Sequence, residues 1–401
     1  MKLTTLAIAV FSLHLTYAIP SINVGKPVIY SEFDTRLSYH ERSNTHILNR
    51  REPPKRFPEW NYANATTPDA TPDGLKGIIF EPDLVPGQPG KDGGQIKKTR
   101  IGPITIPPGV TLNRPVVNFP PPCKDCLVTA IQLGLEYADG KRANVDSGAW
   151  CHHIDLTISG SDYTCPVSLG SLLTLSVPSM FANRIFSGGN ERTAIRTNSK
   201  SKYGLDLETG PGKSVVFGGV YELMSEATKP ITVYMTLTWE FVPKSTPGYK
   251  KAVLVWLDVT DCARESEFPA PEGTYEKASK EWVMNHDGEL LMGIGHVHDG
   301  GTKVDMYHNG KLSCSSKQVY ANRRGGYVEA TDGSVIKNMV MPEGSHISDV
   351  GVCKDWGEVK KGDKLKAVAY YDDKTHMQMR DKDGTLEKQM GMIWIYMGLK
   401  S

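Results

Sequence analysis

Short runs of apolar residues, some of them alternating with polar residues, fill the chain from about residue 127 onward. They are rich in valine, isoleucine, threonine and aromatic residues, and turns of glycine, proline, asparagine and aspartate separate them. Such residues favour strands, whose side chains point alternately to the two faces. The runs predict strands at residues 127–137, 149–156, 231–242, 252–259, 290–298, 302–308, 365–371 and 390–397. No long amphipathic helical period is present, so the pattern predicts an all-β protein.

A proline- and glycine-containing linker at residues 243–249 divides these runs into two groups. We therefore predict two tandem antiparallel β-sandwich domains, at residues 115–245 and 250–401. Within the second domain, residues 299–301 (Asp-Gly-Gly) predict a hairpin, and Asn309-Gly310 predicts the next one.

The first 114 residues differ from the rest. Residues 1–18 combine an early lysine, a short apolar stretch and a small residue at Ala18, which predicts a secretory signal peptide and a secreted, extracellular protein. That stretch is too short to cross a membrane, and no later one is long and apolar enough, so we expect no membrane span. Residues 19–114 are polar and proline-rich and predict a loosely ordered extension, with a glycosylation sequon at Asn64.

Charge and cysteine content narrow the function. A formal net charge of +1 argues against a nucleic-acid partner. Secretion permits disulfides, but an odd count of seven cysteines leaves their pairing open. The Cys123/Cys126 pair could be a redox or zinc motif, although a structural loop or bridges to other cysteines suit a secreted chain better. For the rest, plausible local pairs are Cys151 with Cys165 and Cys314 with Cys353, which leaves Cys262 as the odd thiol.

The chemistry that stands out is His296-Val297-His298 at the end of a predicted strand. Residues at i and i+2 share one face of a strand, so both imidazoles can reach one point. Met292 and Ile294 would share that face and form an apolar wall. The pair predicts a metal site; the alternative is a pair of hydrogen-bonded histidines in the core or at its rim.

Methionines mark the last predicted strand, which contains Met390. A thioether is a soft ligand that, together with imidazole, selects copper, especially Cu(I). Met377 and Met379, beside His376, form a similar pair. The alternative is that these methionines fill the core.

A second histidine pair, His152-His153, lies in the first domain. Neighbouring residues on a strand point to opposite faces, so both can bind one ion only at a bulge or an irregular strand end. Otherwise one histidine points inward and the other outward.

The order His152-His153, His296-x-His298 and a late Met390 resembles the copper type II, ascorbate-dependent monooxygenases, such as peptidylglycine α-hydroxylating monooxygenase. The resemblance implies two tandem jelly-roll domains with one copper in each, facing across a cleft. It implies that His296, His298 and Met390 hold an oxygen-binding copper, and that His152 and His153 are two of three ligands of an electron-transfer copper. A small molecule or peptide would be oxidised with dioxygen and ascorbate.

The chain departs from that family at the third electron-transfer histidine, because Thr238 falls near its expected place. A closer resemblance, through residues 257–262 and 295–301, is to secreted fungal proteins and to plant stress-up-regulated nodulin-like proteins, whose activity is not settled. Two hypotheses follow. The first is a secreted copper oxidoreductase, and the second is a non-catalytic extracellular protein, associated with stress or the cell wall, on the same fold. Oligomeric state stays open.

A carbohydrate-binding sandwich is a weaker third hypothesis. It would need exposed aromatic residues in a row on one face, whereas four tryptophans in predicted apolar strands are expected in the core. They are Trp150, Trp239, Trp256 and Trp394.

Overall fold

The computed structural model describes residues 78–117, 120–158, 163–164, 183–208, 217–262, 266–320, 346–380 and 384–400. Within these ranges the protein is all-β, with twenty strands and two short 3-10 helices. The predicted signal peptide and the sequon at Asn64 lie outside them. No helix among the described residues is long and apolar enough to cross a membrane.

Nine strands form the N-terminal half. They are β1 (Gln95–Ile106), β2 (Thr111–Val117), β3 (Cys126–Glu136), β4 (Ala149–Ile158), β5 (Asn183–Gly189), β6 (Ile195–Arg196), β7 (Tyr203–Asp206), β8 (Gly218–Ser225) and β9 (Ile231–Pro243).

Eleven strands form the C-terminal half. They are β10 (Lys250–Asp258), β11 (Glu267–Phe268), β12 (Thr274–Ala278), β13 (Trp282–Val283), β14 (Gly288–Val297), β15 (Gly301–His308), β16 (Lys311–Tyr320), β17 (Ile347–Val350), β18 (Val352–Val359), β19 (Lys364–Asp372) and β20 (Gln389–Leu399).

A ten-stranded sheet runs through both halves, in the order β1-β9-β3-β7-β10-β20-β14-β18, with β6 and β11 attached at its sides. The halves join where β7 pairs in parallel with β10, from Tyr203 opposite Lys250. A four-stranded sheet, β2-β8-β4-β5, and a six-stranded sheet that includes β15, β16 and β19 complete the fold. The halves are therefore continuous through one sheet, which the linker composition did not reveal.

Strand β20 is buried on both faces. Met392 and Trp394 belong to a core cluster that also contains residues of the N-terminal half, such as Phe186. Ile393 and Ile395 belong to a second cluster with residues of the six-stranded sheet. A strand covered on both sides needs apolar residues at successive positions, which explains its uninterrupted apolar sequence. The four tryptophans predicted to be core residues are all buried.

The predicted hairpin at residues 299–301 is wrong, whereas the one at Asn309-Gly310 is confirmed. Strand β14 pairs with β18 on one side and β20 on the other, so neither edge is open to β15. The chain instead turns at Gly300, with φ of +97°, and enters the six-stranded sheet. His308 lies opposite Lys311 in the β15–β16 hairpin.

The end of the predicted extension is part of the sheets. Strand β1 pairs with β9 along its length, and Ile101, Ile104 and Ile106 are buried in the core. Most of the other residues of this edge strand are polar. The average composition of the segment hid these buried isoleucines.

Two disulfides join described cysteines, Cys123–Cys126 and the predicted Cys314–Cys353. Cys262 is disulfide-bonded, so its prediction as the odd thiol is wrong. Cys151 is a buried thiol, so it does not form the predicted bridge to Cys165, which itself lies outside the described residues.

Candidate metal centre

His296 and His298 lie at the end of β14, on the face turned toward the N-terminal half. His296 is opposite Met392 on β20, and Met292 and Ile294 share its face, as predicted. The residues are only 5% and 7% exposed, and their ring centroids are 5.8 Å apart. The two imidazoles therefore occupy the interior between the halves.

A fixed partner holds the Nδ1 atom of each ring. His298 Nδ1 donates to the carbonyl oxygen of Lys388 at 2.7 Å, so its Nε2 keeps a lone pair. His296 Nδ1 lies 3.2 Å from Oε1 of Glu191. Both Nε2 atoms are buried and have no hydrogen-bond partner. Buried polar atoms left unpaired are costly, whereas a histidine held at Nδ1 by a carboxylate or carbonyl has the usual arrangement of a metal ligand.

His152 and His153 lie at a β-bulge, the condition for both to serve one ion. In the β4–β8 ladder Cys151 pairs with Leu223 and His153 with Glu222, so His152 is the extra residue. The two Nδ1 atoms are 3.1 Å apart. His152 Nδ1 and His153 Nε2 lie 3.3 and 3.6 Å from the carboxylate of Glu222.

The two histidine pairs converge. The rings of His152 and His298 are 4.6 Å apart. The ligand atoms of His152, His298 and Glu387 lie within 4.8 Å of one another, and so do those of His152, His153 and Glu222. The family resemblance implied one pair per domain across a cleft, but here the two groups share His152. We call His152, His153, His296 and His298 the histidine cluster.

Burial and neighbouring charges keep two members of the histidine cluster, His153 and His298, neutral. Burial, with neighbouring histidines, holds the pKa of His298 well below its usual value. Burial and His152 lower the pKa of His153 to about 4. Burial also opposes the charged form of His152, but the hydrogen bond and charge of Glu222 outweigh it and raise that pKa. Neutral imidazoles beside carboxylates are suited to bind a cation.

Carboxylates flank the histidine cluster and stay ionised. Burial opposes the charged forms of Glu191 and Glu222. The contacts with His296 outweigh it for Glu191, and those with His152 and His153 outweigh it for Glu222, so both pKa values are lowered. The negative charge compensates for the cost of burying a cation.

The walls around His296 are tight. The indole of Trp394 stacks on His296 with centroids 5.3 Å apart and an interplanar angle of 18°. On the other side Gly189 has no room for a side chain, because a Cβ there would lie 2.9 Å from Cε1 of His296 and 2.8 Å from the carbonyl oxygen of His152. Packing therefore fixes the ring from two directions.

Met390 is buried on the same face of β20 as Met392 and Trp394. Its carbonyl oxygen accepts from the hydroxyl of Tyr371 at 2.6 Å. Met379, the other buried methionine considered as a ligand, packs against Trp150 in a small apolar cluster.

The remaining histidine considered as a ligand is His376. Its ring stacks on Tyr320 with centroids 3.6 Å apart. Met379 and His376 therefore act as packing residues and not as metal ligands.

Sequence reasoning missed three carboxylates, Glu191, Glu222 and Glu387. Glu222 left one signal, an acidic residue isolated between apolar neighbours in a strand. Thr238 does not supply the missing ligand, because its neighbours on β9, Leu237 and Trp239, face the core and it faces away. Glu222 is instead the third group beside His152 and His153.

No protein-family model matches the chain. Among solved structures, PNGF-II aligns with a TM-score of 0.34 and 10% identity, over 81% of this chain and 64% of that one. PNGase F, a glycosylasparaginase from Flavobacterium meningosepticum, aligns with a TM-score of 0.34 and 8% identity, over 77% of this chain and 96% of that one. Scores this low support no conclusion.

Two relatives are similar in sequence. The chain is 29% identical over 305 residues to the probable copper-dependent oxygenase M1 of Phoma sp. (strain ATCC 20986 / MF5453), covering 75% of this chain and 72% of that protein. It is 28% identical over 268 residues to the probable copper-dependent oxygenase clz3 of Cochliobolus lunatus, covering 66% of this chain and 77% of that protein. The similarity supports a copper-oxygenase-like protein.

Proposed function

We propose that this protein is a copper-dependent oxygenase that acts on a small molecule or peptide. The observation that carries the proposal is the pair of buried Nε2 atoms of His296 and His298, which have no hydrogen-bond partner and lie beside the histidines of β4. The two relatives named as probable copper-dependent oxygenases support the choice of metal. Imidazole is a good ligand for copper.

His296 and His298 would bind copper through Nε2, while Glu191 and the Lys388 carbonyl hold their orientation. The bulge in β4 would allow both His152 and His153 to bind copper. Met390 on β20 is the candidate thioether ligand. When bound, copper supplies one-electron redox chemistry and a site for dioxygen. Burial keeps His153 and His298 neutral, carboxylates balance the charge, and the buried wall at Trp394 excludes water.

The finer parts of the proposal are secretion, two jelly-roll domains and a small reductant such as ascorbate. The disulfides Cys123–Cys126 and Cys314–Cys353 support an oxidising compartment. If the protein has a single complete ligand set, the reductant would reduce that copper directly, without electron transfer from a second, distant copper.

The test is the copper content of the purified full-length protein, before and after copper loading. We compare the wild type with a His296→Ala/His298→Ala variant and with His286→Ala, which removes an exposed histidine outside the cluster. We expect the wild type and His286→Ala to bind copper and the double variant to lose it. The two proteins that bind copper should then consume oxygen when ascorbate is added. A wild type with no copper above background would contradict the proposal and leave the non-catalytic extracellular role.

A further inference from the structure

The segment that precedes β20 is held beside His298. The carbonyl oxygen of Lys388 accepts from His298 Nδ1, and the fully buried Gln389 donates from Nε2 to the carbonyl oxygen of Asp299 at 2.9 Å. The amide of Glu387 donates to the carbonyl oxygen of Met379 at 3.0 Å. The backbone of Glu387 is therefore held next to the His298 ring, which the carbonyl oxygen of Lys388 orients.

This placement brings the Glu387 carboxylate to the histidines. Its oxygen and the ring nitrogens of His152 and His298 lie within 4.8 Å of one another. Ligand atoms about 2.0–2.3 Å from one ion are separated by roughly 3–4 Å, so small side-chain rotations would close the triangle. The buried, unpartnered Nε2 of His298 is the independent sign that a ligand belongs there.

The donor set differs from the one that the family resemblance implied. Two imidazoles and a carboxylate form a harder set than two imidazoles and a thioether, and a harder set favours Cu(II) relative to Cu(I). The carboxylate also supplies negative charge where a buried cation needs it.

We infer that Glu387 is a direct metal ligand, and that it forms with His152 and His298 a single centre joining the two halves of the protein. The inference rests on the proposed copper function and names the ligand set of that site. His152 comes from the N-terminal half, and His298 and Glu387 come from the C-terminal half. Met390 then serves mainly as an apolar wall.

The test is a Cu(II) titration of the metal-free full-length protein against a competing chelator, with the Cu(II) electron paramagnetic resonance spectrum as a second readout. We expect Glu387→Gln to weaken Cu(II) binding at least about tenfold and to change the spectrum, because one oxygen ligand is lost. Glu387→Asp keeps the carboxylate and should fall between Glu387→Gln and the wild type.

Glu267→Gln is the matched control. Glu267 acts on His152 through its charge, as Glu387 does, but it forms an ion pair with Lys388 at 3.2 Å and lies outside the ligand triangle. Wild-type affinity and spectrum in Glu387→Gln would overturn the inference, as would equal weakening in Glu267→Gln. A wild type that binds no copper would contradict the proposed function itself, which separates the two failures.

Discussion

A histidine becomes a useful ligand when something else holds its other nitrogen. Glu191 does this for His296 and the Lys388 carbonyl does it for His298. The sequence revealed the two imidazoles, because His-x-His in a strand fixes their common face. It could not reveal Glu191, which comes from a loop more than a hundred residues away along the chain and arrives only through folding.

Gly189→Ala is predicted to damage the metal centre. The added methyl would lie 2.7 Å from a Glu191 oxygen and 2.9 Å from His296 Cε1, so the ring or its partner must move. We expect copper affinity to fall at least about tenfold and stability to fall by about 1–3 kcal/mol. Copper titration and chemical unfolding measure the two effects.

Gly188→Ala is the control for Gly189→Ala. A methyl at Gly188 would meet the Phe186 ring at 3.2 Å, within the core and on the opposite face of β5. It should cost stability without weakening copper binding. If both variants lost copper equally, general destabilisation and not the crowding of His296 would be the cause.

A strand could be predicted where its own sequence, without that of its partners, shows the residues typical of a strand. Runs rich in apolar, β-branched and aromatic residues located β9, β14 and β20. Pairing was harder: β14 and β15 follow each other around Asp-Gly-Gly, yet both edges of β14 are taken by strands that come later in the chain. The bulge at His152 depends on the register of β8, which no property of β4 by itself records.

Deletion of His152 tests whether the bulge serves copper binding and is not needed for folding. The β4–β5 ladder begins only at His153, and His152 is the extra residue against β8, so the deletion should leave regular pairing on both sides. We expect a folded protein that has lost copper binding as fully as His152→Ala. Circular dichroism, thermal unfolding and copper titration measure the outcome.

Deletion of Ile154, two residues further along β4, is the contrast. This part of the strand pairs on both sides, so the deletion reverses the facing of the side chains on one side of the cut and should prevent folding. Equal tolerance of the two deletions would show that the bulge is not the feature that protects the fold.

Across the whole molecule, the metal centre lies where the two halves meet. The ten-stranded sheet and the shared core cluster already join them, and His152 from β4 meets His298 from β14 in the interior. Sequence composition predicted two units with a linker. The shared sheet depends on long-range pairing between β7 and β10, and hence composition could not predict it.

Copper should therefore stabilise the protein as one unit. A ligand present at about 100 times its Kd raises the free energy of unfolding by about 2.7 kcal/mol, which raises the Tm by a few degrees. If one ion is bound from both halves, His152→Ala and His298→Ala should each abolish the copper-induced Tm shift, and the double variant should be no worse than either single one. Independent sites would behave differently, because each single variant would keep part of the shift and only the double variant would lose all of it. Differential scanning calorimetry of the four proteins, with copper and with a chelator, distinguishes a shared centre from two separate ones.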